Sequence, residues 1–290
     1  MAKLLEGKPI AEKIKEQLKE EIENLQVKFK TMPTLATIQV GENSQSAIYL
    51  KSQKKLAKDL RVEFREHLLS AATTESELID YIGKLNQDKF VTGILLQLPL
   101  PSHINSKNIP IHIDPLKDVE GMHPENVGQA LFGKMRIGSC TALAVMELIK
   151  STGVDLYGKE AVIVGHSEIV GKPVSLLLLD KFATTTTCHI ATGQRGYLPT
   201  HVKRAEILVV AVGKPGIIQG EWIQEGAIVI DVGINKVGDK IVGDVEFVKA
   251  FERAGYITPV PGGVGPLTVT MLMRNLVEAA KLQQEGLSPS

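Results

Sequence analysis

Tyr49 and Gln53 are spaced so that both side chains would lie on one face of a helix in the stretch "SAIYLKSQKKLAK". Residues four apart share a helix face, whereas most of the lysines in this stretch fall on other faces. A tyrosine ring can pack on a flat ligand, and a glutamine amide can position a water molecule without supplying a charge. A simpler interpretation stays open, in which the lysines form a solvated surface and Tyr49 is an ordinary half-buried aromatic residue.

The segment "VIVGHSEIVGKP" has the composition of a phosphate-binding turn. It places Gly165 and Gly171 between a strand-like run and a helix-like run, where small residues let backbone amides approach a pyrophosphate at a helix N-terminus. The spacing is not GxGxxG, so a turn that binds nothing is also compatible with it.

The residues after the next strand-like run bear on which dinucleotide would bind. An NAD-preferring unit usually holds the ribose 2′-hydroxyl with a carboxylate at the end of its second strand. Here no Asp or Glu occurs between Asp180 and Glu206, while His189 and Arg195 lie in that interval. This composition favours NADP over NAD, because a cationic side chain there suits a 2′-phosphate.

Three further segments carry polar or glycine-rich groups at positions typical of ligand sites. Gln97 ends the apolar run in "FVTGILLQLPLP", and open α/β sheets bind ligands at the carboxyl ends of their strands. "KDVEG" adds Asp118 and Glu120 in a turn, and "ITPVPGGVGPLTV" places prolines and glycines before a helix. Each also has a structural interpretation, as a capping or solvated carboxylate or as a plain loop.

The runs that would position these residues alternate between helix-like and strand-like patterns. Helices are predicted over 9–29, around Tyr49, from a capping box of Thr74 and Glu77, over "TALAVMELIKSTG" and over 266–284. Buried strands are predicted at "TLATIQVG", "RVEFREHLL", "GILLQLP", "EAVIVG", "ATTTTCHI", "EILVVAVG" and "GAIVIDVGI". The alternation predicts an α/β fold with parallel sheets covered by helices, and an irregular interdomain region over 114–140.

The totals limit the class of protein. A chain of 290 residues is expected to form two domains, and 33 basic against 33 acidic residues argue against binding nucleic acid or membrane through overall charge. Cys140 and Cys188 have no CxxC or Cys/His spacing, so neither a disulfide framework nor a metal site is expected. No run is apolar enough for a signal peptide or a membrane span, which predicts a soluble, cytoplasmic protein.

Seven segments, in order along the chain, resemble signatures of the methylenetetrahydrofolate dehydrogenase/cyclohydrolase family: "SAIYLKSQKK", "GILLQLPLP", "DPLKDVEGMHP", "GHSEIVGKP", "VAVGKPG", "VIDVGIN" and "TPVPGGVGPLT". The resemblance implies an N-terminal α/β folate-binding domain over 1–122, joined by the C-terminal helix 266–284. It implies a Rossmann-like NAD(P)-binding domain over 123–286. It also implies a homodimer that acts on a small-molecule folate and has no nucleic acid or membrane partner.

The activity that the resemblance implies is oxidation of 5,10-methylenetetrahydrofolate to 5,10-methenyltetrahydrofolate with NAD(P), then hydrolysis to 10-formyltetrahydrofolate. These are oxidoreductase and hydrolase steps of one-carbon metabolism, which supports purine biosynthesis. The family has a lysine four residues after the tyrosine, and this chain has Gln53. Hydride transfer needs orientation whereas hydrolysis needs proton transfer, so we expect the dehydrogenase step to persist and the hydrolase step to be lost or reduced.

The resemblance assigns site residues at the positions that match the family's motifs. The implied catalytic residues are Tyr49, Gln53, Gln97 and Glu120. The implied substrate-binding residues are Tyr49, Gln97, Leu98, Pro99, Glu120, Pro261, Gly262 and Gly263. The implied cofactor-binding residues are Gly165, His166, Ser167, Ile169, Gly171, His189, Val212, Gly213, Gly233, Ile234 and Thr268.

The chain departs from the family's pattern in other places too. Glu120 stands where the family has the second aspartate of "KDVDG", and the family's "PCTP" reads "SCTA" around Cys140. One alternative is therefore a folate- and nucleotide-binding protein that has lost catalysis. A short-chain dehydrogenase with a Tyr-x-x-x-Lys pair matches less well, because Gln53 breaks the pair and Tyr49 precedes the glycine turn.

Overall fold

The computed structural model describes residues 1–30, 32–42 and 44–286, with only the backbone described for residues 44–48. The strands are β1 (Lys3–Leu4), β2 (Thr34–Val40), β3 (Glu63–Leu69), β4 (Gly93–Leu96), β5 (Glu160–Val164), β6 (Thr184–Cys188), β7 (Ile207–Val210), β8 (Ile228–Asp231), β9 (Asn235–Val237), β10 (Lys240–Val242) and β11 (Tyr256–Ile257). The helices are α1 (Gly7–Phe29), α2 (Ser44–Asp59), α3 (Glu75–Gln87), α4 (Pro124–Leu131), α5 (Cys140–Ser151), α6 (Gly171–Asp180), α7 (Ile190–Gln194), α8 (Leu198–Val202), α9 (Phe247–Arg253) and α10 (Val264–Glu285). Within the described ranges, no helix is both long enough and apolar enough to cross a membrane.

The chain folds into two compact units, each made of two separate stretches of sequence. The three-stranded unit contains Ile14–Cys140 and Val269–Ser290, and the six-stranded unit contains Met1–Lys13 and Thr141–Thr268. This confirms a two-domain α/β fold in which the C-terminal helix belongs with the N-terminal part of the chain. The division differs from the predicted boundary at residue 122. The first residues join the six-stranded unit because β1 pairs in parallel with β11.

The three-stranded unit is organised around a parallel sheet in the order β3-β2-β4. Ala36 and Ile38 of β2 point to one face, where they pack in a core with Leu78 and Ile82 of α3. Side chains alternate along a strand, so Thr37 points to the opposite face. Thr37 therefore lies on the face away from the α3 core.

The start of α3 follows the predicted local signal. Thr74 Oγ1 accepts a hydrogen bond from the Glu77 backbone N–H at 3.3 Å, and Glu77 Oε2 accepts one from the Thr74 backbone N–H at 2.8 Å. Both bonds satisfy amides that a helix leaves unpaired at its first turn. The predicted capping box is therefore confirmed.

The region 114–140, predicted to be irregular and interdomain, is mostly irregular but differs from the prediction in two respects. Residues 124–131 form α4, and the whole region belongs to the three-stranded unit. The helix begins because Pro124 needs no hydrogen bond in a first turn and the His123 side chain accepts from the Glu125 backbone N–H. The same turn-forming residues that suggested a linker therefore serve to start a helix.

The six-stranded unit contains a wholly parallel sheet in the order β1-β11-β8-β7-β5-β6. The predicted strands β5 to β8 are confirmed, and three consecutive residues of β5, Ala161 to Ile163, are fully buried, as expected of a sheet covered on both faces. The strand order reverses between β5 and β7, so their carboxyl ends flank the crevice in which such sheets bind ligands. Strands β1, β9, β10 and β11 were not predicted, because two or three residues are too few to show a pattern.

Candidate active site

Gln97 immediately follows β4 and lies against Gln53 of α2. Its amide nitrogen Nε2 donates a hydrogen bond of 2.9 Å to Gln53 Oε1, and Thr37 Oγ1 of β2 lies 3.5 Å from the same nitrogen. Gln53 and Gln97 are 3% and 7% exposed. Leu98 and Pro99, joined by a cis peptide bond, follow at the surface. Two of the predicted site residues are thus a buried pair of neutral amides on the sheet face that carries Thr37.

The lysines of α2 follow the predicted division of helix faces. Lys51, Lys54, Lys55 and Lys58 are exposed, while Tyr49 is half-buried one turn before Gln53. Lys54 Nζ lies 2.6 Å from a carboxylate oxygen of Glu66 on β3. Lys54 therefore reaches towards β3, whereas its neighbour Gln53 reaches towards the end of β4.

Glu120 lies in a turn that is attached to β4. Asp118 forms an isolated parallel bridge with Ile94 of that strand. The buried Asp118 carboxylate accepts hydrogen bonds from the His123 backbone N–H at 2.7 Å and from Asn126 Nδ2 at 2.9 Å. Asp118 therefore holds the turn in place, and the neighbouring Glu120 carboxyl can face a ligand.

The pKa values of both carboxyl groups in this turn are raised, and Asp118 contributes to the rise at Glu120. Burial raises the pKa of Glu120 to about 8, and the negative charge of Asp118 adds to the rise. Burial also raises the pKa of Asp118, although its hydrogen bonds oppose the change. A second negative charge is unfavourable in such a low-dielectric turn. Near neutral pH the Glu120 carboxyl of the free protein is therefore mostly protonated.

The segment "SCTA" forms the buried start of α5. Ser139 and Cys140 are each 5% exposed and Ala142 is fully buried. The Cys140 thiol donates a hydrogen bond to the Val119 carbonyl oxygen at 3.3 Å, next to Glu120. Burial raises the pKa of that thiol well above its ordinary value. Without the two prolines of the family's motif, this segment still packs on the turn that carries Glu120.

Gly165 and Gly171 form the turn between β5 and α6 in the six-stranded unit. Gly165 has a φ of +121°, and a Cβ there would lie 2.3 Å from the carbonyl oxygen of Ala211, just after β7. A Cβ on Gly171 would lie 2.0 Å from the Gly165 carbonyl oxygen. Within the turn, Ser167 Oγ accepts a hydrogen bond from the Val170 backbone N–H at 3.2 Å. Both positions are buried and require glycine, because neighbouring backbone fills the space that a Cβ would take.

Imidazole groups follow the two strands on one side of this crevice. His166 follows β5 and His189 follows β6, both are exposed, and their ring centroids lie 5.4 Å apart. The exposed Arg195 guanidinium lies 5.5 Å from the centroid of the Tyr197 ring. No Asp or Glu occurs among residues 181–205, so the side chains that follow β6 are neutral or cationic.

One buried carboxylate that sequence reasoning missed shapes the loop after β7. Asp244 is fully buried and accepts hydrogen bonds from the backbone N–H groups of Val212 at 2.8 Å and Gly213 at 2.9 Å through Oδ2. Its Oδ1 accepts from the Lys214 backbone N–H at 2.8 Å. The amides of Val212 and Gly213 are therefore directed at Asp244. A cofactor in contact with these predicted residues would meet their side-chain or carbonyl atoms.

A second missed carboxylate, Asp231, holds the loop after β8. It accepts hydrogen bonds from the backbone N–H groups of Gly233 at 2.9 Å, Asp244 at 3.0 Å and Val245 at 2.9 Å. The pKa of Asp231 is raised to about 6, mainly by burial and also by the charge of Asp244. Its backbone hydrogen bonds oppose this rise. A Cβ on Gly233 would lie 2.3 Å from the Asp244 carboxyl, so this predicted cofactor residue has a packing role as well.

The remaining predicted cofactor residues are mostly apolar and exposed. Ile169, Val212 and Ile234 are 40%, 38% and 62% exposed, and each follows the carboxyl end of a strand in the six-stranded sheet. Thr268 is buried, and its hydroxyl donates to the Val264 carbonyl oxygen at 3.3 Å within α10. Its oxygen can therefore only accept a further hydrogen bond.

The glycine loop before α10 also belongs to the six-stranded unit. Pro261 and Gly262 are exposed, and Gly262 has a φ of +115°. The Gly7 backbone N–H donates to the Gly262 carbonyl oxygen at 2.9 Å, and the Gly263 backbone N–H donates to the Pro259 carbonyl oxygen at 2.9 Å. These three predicted substrate-binding residues are thus fixed against the start of α1.

The six-stranded unit fits a dinucleotide. The exposed His166 follows Gly165, and Gly171 opens α6, a ten-residue helix whose N-terminus can stabilise a pyrophosphate. The apolar side chains Ile169, Val212 and Ile234 offer surface to flat rings.

Two family models match the chain in sequence. Residues 5–120 match "Tetrahydrofolate dehydrogenase/cyclohydrolase, catalytic domain", and residues 139–284 match "Tetrahydrofolate dehydrogenase/cyclohydrolase, NAD(P)-binding domain". Bifunctional protein FolD 2 of Geobacter metallireducens is 49% identical over 287 residues, 99% of each chain. Bifunctional protein FolD of Acetivibrio thermocellus is 51% identical over 283 residues, 97% of this chain and 98% of the other.

Solved structures give the same result. The bifunctional enzyme FolD of Campylobacter jejuni superimposes with a TM-score of 0.93 at 43% identity, covering 98% of this chain and 100% of the other. The methylenetetrahydrofolate dehydrogenase-cyclohydrolase of Trypanosoma brucei, solved with NADP and an inhibitor, superimposes with a TM-score of 0.92 at 38% identity, covering 98% of each chain.

Proposed function

Because the chain belongs to the tetrahydrofolate dehydrogenase/cyclohydrolase family, we propose that it oxidises 5,10-methylenetetrahydrofolate to 5,10-methenyltetrahydrofolate with NADP. We also propose that Gln53 makes hydrolysis of the methenyl product slow or absent. The first part follows from the family and from a six-stranded unit that fits a dinucleotide. The second part follows from this chain's own residues.

The observation that carries the second part is the hydrogen bond of 2.9 Å between two neutral amides, Gln97 Nε2 and Gln53 Oε1. A lysine at position 53 would supply a cation and a titratable amine beside Gln97, and a glutamine supplies neither. Adding water to the methenyl carbon requires proton transfer, to which a positioned acid or base contributes about 10²- to 10⁴-fold in rate. Gln53 can hold the water molecule but cannot take its proton.

Oxidation makes a different demand on these side chains. NADP, when bound, supplies the acceptor for a hydride. Loss of that hydride from the bridging carbon of the folate leaves an amidinium whose positive charge is shared by two nitrogens, so no strong base is needed. Neutral amides at Gln53 and Gln97 do not repel the developing cation, whereas an ammonium group would. The dehydrogenase step therefore tolerates Gln53.

We assign pterin binding to Tyr49 and Glu120. The half-buried Tyr49 ring, one helical turn before Gln53, suits stacking on a flat ring system. The pterin presents N–H donors, for which an ionised Glu120 is the acceptor. Those donors lower the pKa of about 8 that Glu120 has in the free protein, so binding and ionisation are linked. Leu98, Pro99 and the loop 261–263 remain predicted substrate contacts.

We assign the adenosine end of NADP to the two imidazoles. His166 and His189 lie 5.4 Å apart beside the carboxyl ends of β5 and β6, where a Rossmann-like unit holds the adenosine ribose. Their hydrogen-bond donors suit a 2′-phosphate, and no carboxylate occurs between residues 180 and 206 to repel one. This supports NADP over NAD.

We further propose that the protein is a cytoplasmic homodimer serving one-carbon metabolism and purine biosynthesis. The family resemblance supports both parts. The dimer is also supported by β3, an edge strand of the three-stranded sheet on which Leu68 is 63% exposed, since an unpaired edge with an apolar side chain suits association with a second copy. Light scattering on the purified protein measures the oligomeric state.

A paired assay on the purified protein tests the proposal. Oxidation of 5,10-methylenetetrahydrofolate is followed with NADP and with NAD, and decay of methenyltetrahydrofolate absorbance is compared with the uncatalysed rate. We expect oxidation, faster with NADP, and no accelerated decay. Catalysis of both steps would overturn the role given to Gln53. Neither step, with nucleotide still bound, would favour a binding protein without catalysis.

A further inference from the structure

Asn275 of α10 joins two loops of the three-stranded unit. The side chain is 1% exposed. Its amide nitrogen Nδ2 donates hydrogen bonds to the carbonyl oxygens of Val119 at 2.8 Å and Gly138 at 2.7 Å, and Cys140 Sγ lies 3.4 Å away. One side chain therefore connects the turn that carries Glu120 to the start of α5.

The two loops are in close contact, and Val119 and Gly138 are buried there. Their carbonyl groups therefore need a hydrogen-bond donor from the protein, which is the Asn275 amide. Gly121 has a φ of +66°, and a Cβ there would lie 2.3 Å from the carbonyl carbon of Gly138. Buried carbonyl oxygens are nearly always hydrogen-bonded, and leaving one unsatisfied costs about 1–3 kcal/mol. The Cys140 thiol also donates to the Val119 carbonyl, but a thiol is a weak donor. The amide of Asn275 is the strong donor that Val119 and Gly138 share.

The turn is fixed on its other side by Asp118. Its carboxylate accepts from the His123 backbone N–H and from Asn126 Nδ2, and it bridges to Ile94 of β4. Glu120 therefore lies between two anchors, the Asp118 carboxylate before it and the Val119 carbonyl held by Asn275. The two anchors fix the backbone on either side of Glu120. The position of its carboxyl group can then vary only through the side-chain torsions.

We propose that Asn275 is a positioning residue for the folate reaction, which fixes the direction in which the turn presents the Glu120 carboxyl to the pterin. The inference rests on the substrate-binding role proposed for Glu120. Asn275 acts through Val119 and Gly138 and not by touching the substrate. Its loss should leave NADP binding unchanged, because the Gly165 turn and the Asp244 loop belong to the six-stranded unit.

Two variants separate the hydrogen bonds from the shape of the side chain. Asn275→Leu keeps the branching of the side chain and removes the donor, and Asn275→Asp keeps the shape and places an acceptor against two carbonyl oxygens. In both variants we expect KM for 5,10-methylenetetrahydrofolate to rise by about tenfold or more, the scale of losing one hydrogen bond between the pterin and the Glu120 carboxylate. KM for NADP should stay within about twofold. The pH at which kcat/KM changes should also move, because the surroundings of Glu120 change.

Asn86→Leu is the matched control. Asn86 of α3 also holds a loop of the three-stranded unit through backbone groups, donating to the His112 carbonyl oxygen at 2.8 Å and accepting from the Asp114 backbone N–H at 3.0 Å. It should lower stability and leave KM for the folate unchanged. The proposal is overturned if Asn275→Leu and Asn275→Asp behave like Asn86→Leu. If neither folds, Asn275→Ser, which keeps a shorter donor, is measured in the same way.

Glu120→Ala distinguishes failure of this inference from failure of its premise. If that variant leaves KM for the folate unchanged, the role of Glu120 is wrong and the positioning role falls with it. If KM rises in Glu120→Ala but not in the Asn275 variants, only the positioning role is overturned.

Discussion

Lys54 Nζ lies 2.6 Å from a Glu66 carboxylate oxygen on β3, although Lys54 is the immediate neighbour of Gln53 in sequence. Successive residues of a helix are about 100° apart, so the two side chains leave α2 in different directions. Gln53 meets Gln97 and Lys54 meets the edge of the sheet. The charge absent at position 53 is therefore not supplied by its neighbour.

Gln53→Lys should restore hydrolysis of methenyltetrahydrofolate. A lysine at this buried position would lie beside Gln97, and burial would lower its pKa towards the range in which an amine can accept a proton. We expect hydrolysis to rise by about 10²-fold or more, and oxidation to change far less. Absorbance decay of the methenyl compound measures the first, and NADPH formation the second. Lys54→Gln is the control and should alter neither; if it abolishes a hydrolysis already present in the natural protein, Lys54 supplies the missing group.

Glu120 should make the protein less stable as the pH rises. Its folded-state pKa is raised from 4.5 to about 8, so its contribution to stability is complete below the unfolded value and is lost as the pH rises through the folded value. Glu120→Gln cannot ionise and should match the natural protein near pH 4 and exceed it near pH 9 in urea unfolding.

Glu77→Gln is a control in which stability should depend on pH in the opposite direction. Hydrogen bonds from the Thr74 backbone and side chain lower the pKa of Glu77, so its contribution is present above its unfolded value and lost as the pH falls. This variant should be less stable than the natural protein at neutral pH and equal to it in acid. A stability difference for Glu120→Gln that is the same at both ends of the pH range would contradict the assignment.

Asp244→Asn should weaken NADP binding without affecting the folate. The carboxylate accepts from three successive backbone N–H groups, at residues 212 to 214, and an amide would turn donors towards some of them. We expect KM for NADP to rise by about tenfold, as one or two charge-assisted hydrogen bonds are lost. Glu206→Gln is the matched control, since Glu206 accepts from Lys159 Nζ and the Glu160 backbone N–H at the opposite, amino end of the same sheet. Equal KM values in the two variants would refute the role of Asp244.

Gly165→Ala should abolish tight NADP binding and lower the free energy of unfolding by about 1–3 kcal/mol. The added methyl group would meet the Ala211 carbonyl oxygen at a φ of +121°. Calorimetric titration with NADP and thermal unfolding measure the two effects. Gly193→Ala has no atom within 4 Å of the new methyl group and no positive φ, so it should leave both nearly unchanged. Undiminished NADP affinity in Gly165→Ala would mean that the cofactor does not approach this turn.

Local patterns were sufficient wherever one short segment determines its own structure. The apolar run of β5 and the Thr74–Glu77 capping box are such cases, and both were predicted. Asp244 was missed because its partners lie about 30 residues away, and a carboxylate after a hairpin has the same composition whether it is solvated or buried. Asn275 stands among apolar residues of α10, a weak signal of a buried polar contact, but its acceptors are 137 and 156 residues distant. The resemblance indicated Gln53 and Gln97 as neighbouring residues of one site, and the structure joins them by a hydrogen bond.

The discontinuity of both units constrains how the chain can fold as it is made. The six-stranded sheet is completed by β1, whose partner β11 ends at Ile257, and the three-stranded unit needs the residues from Val269 onwards. Neither unit can therefore close until these late segments have left the ribosome. Both folding events wait for the same late stretch of chain, and a truncation just before α10 would remove packing from both units at once.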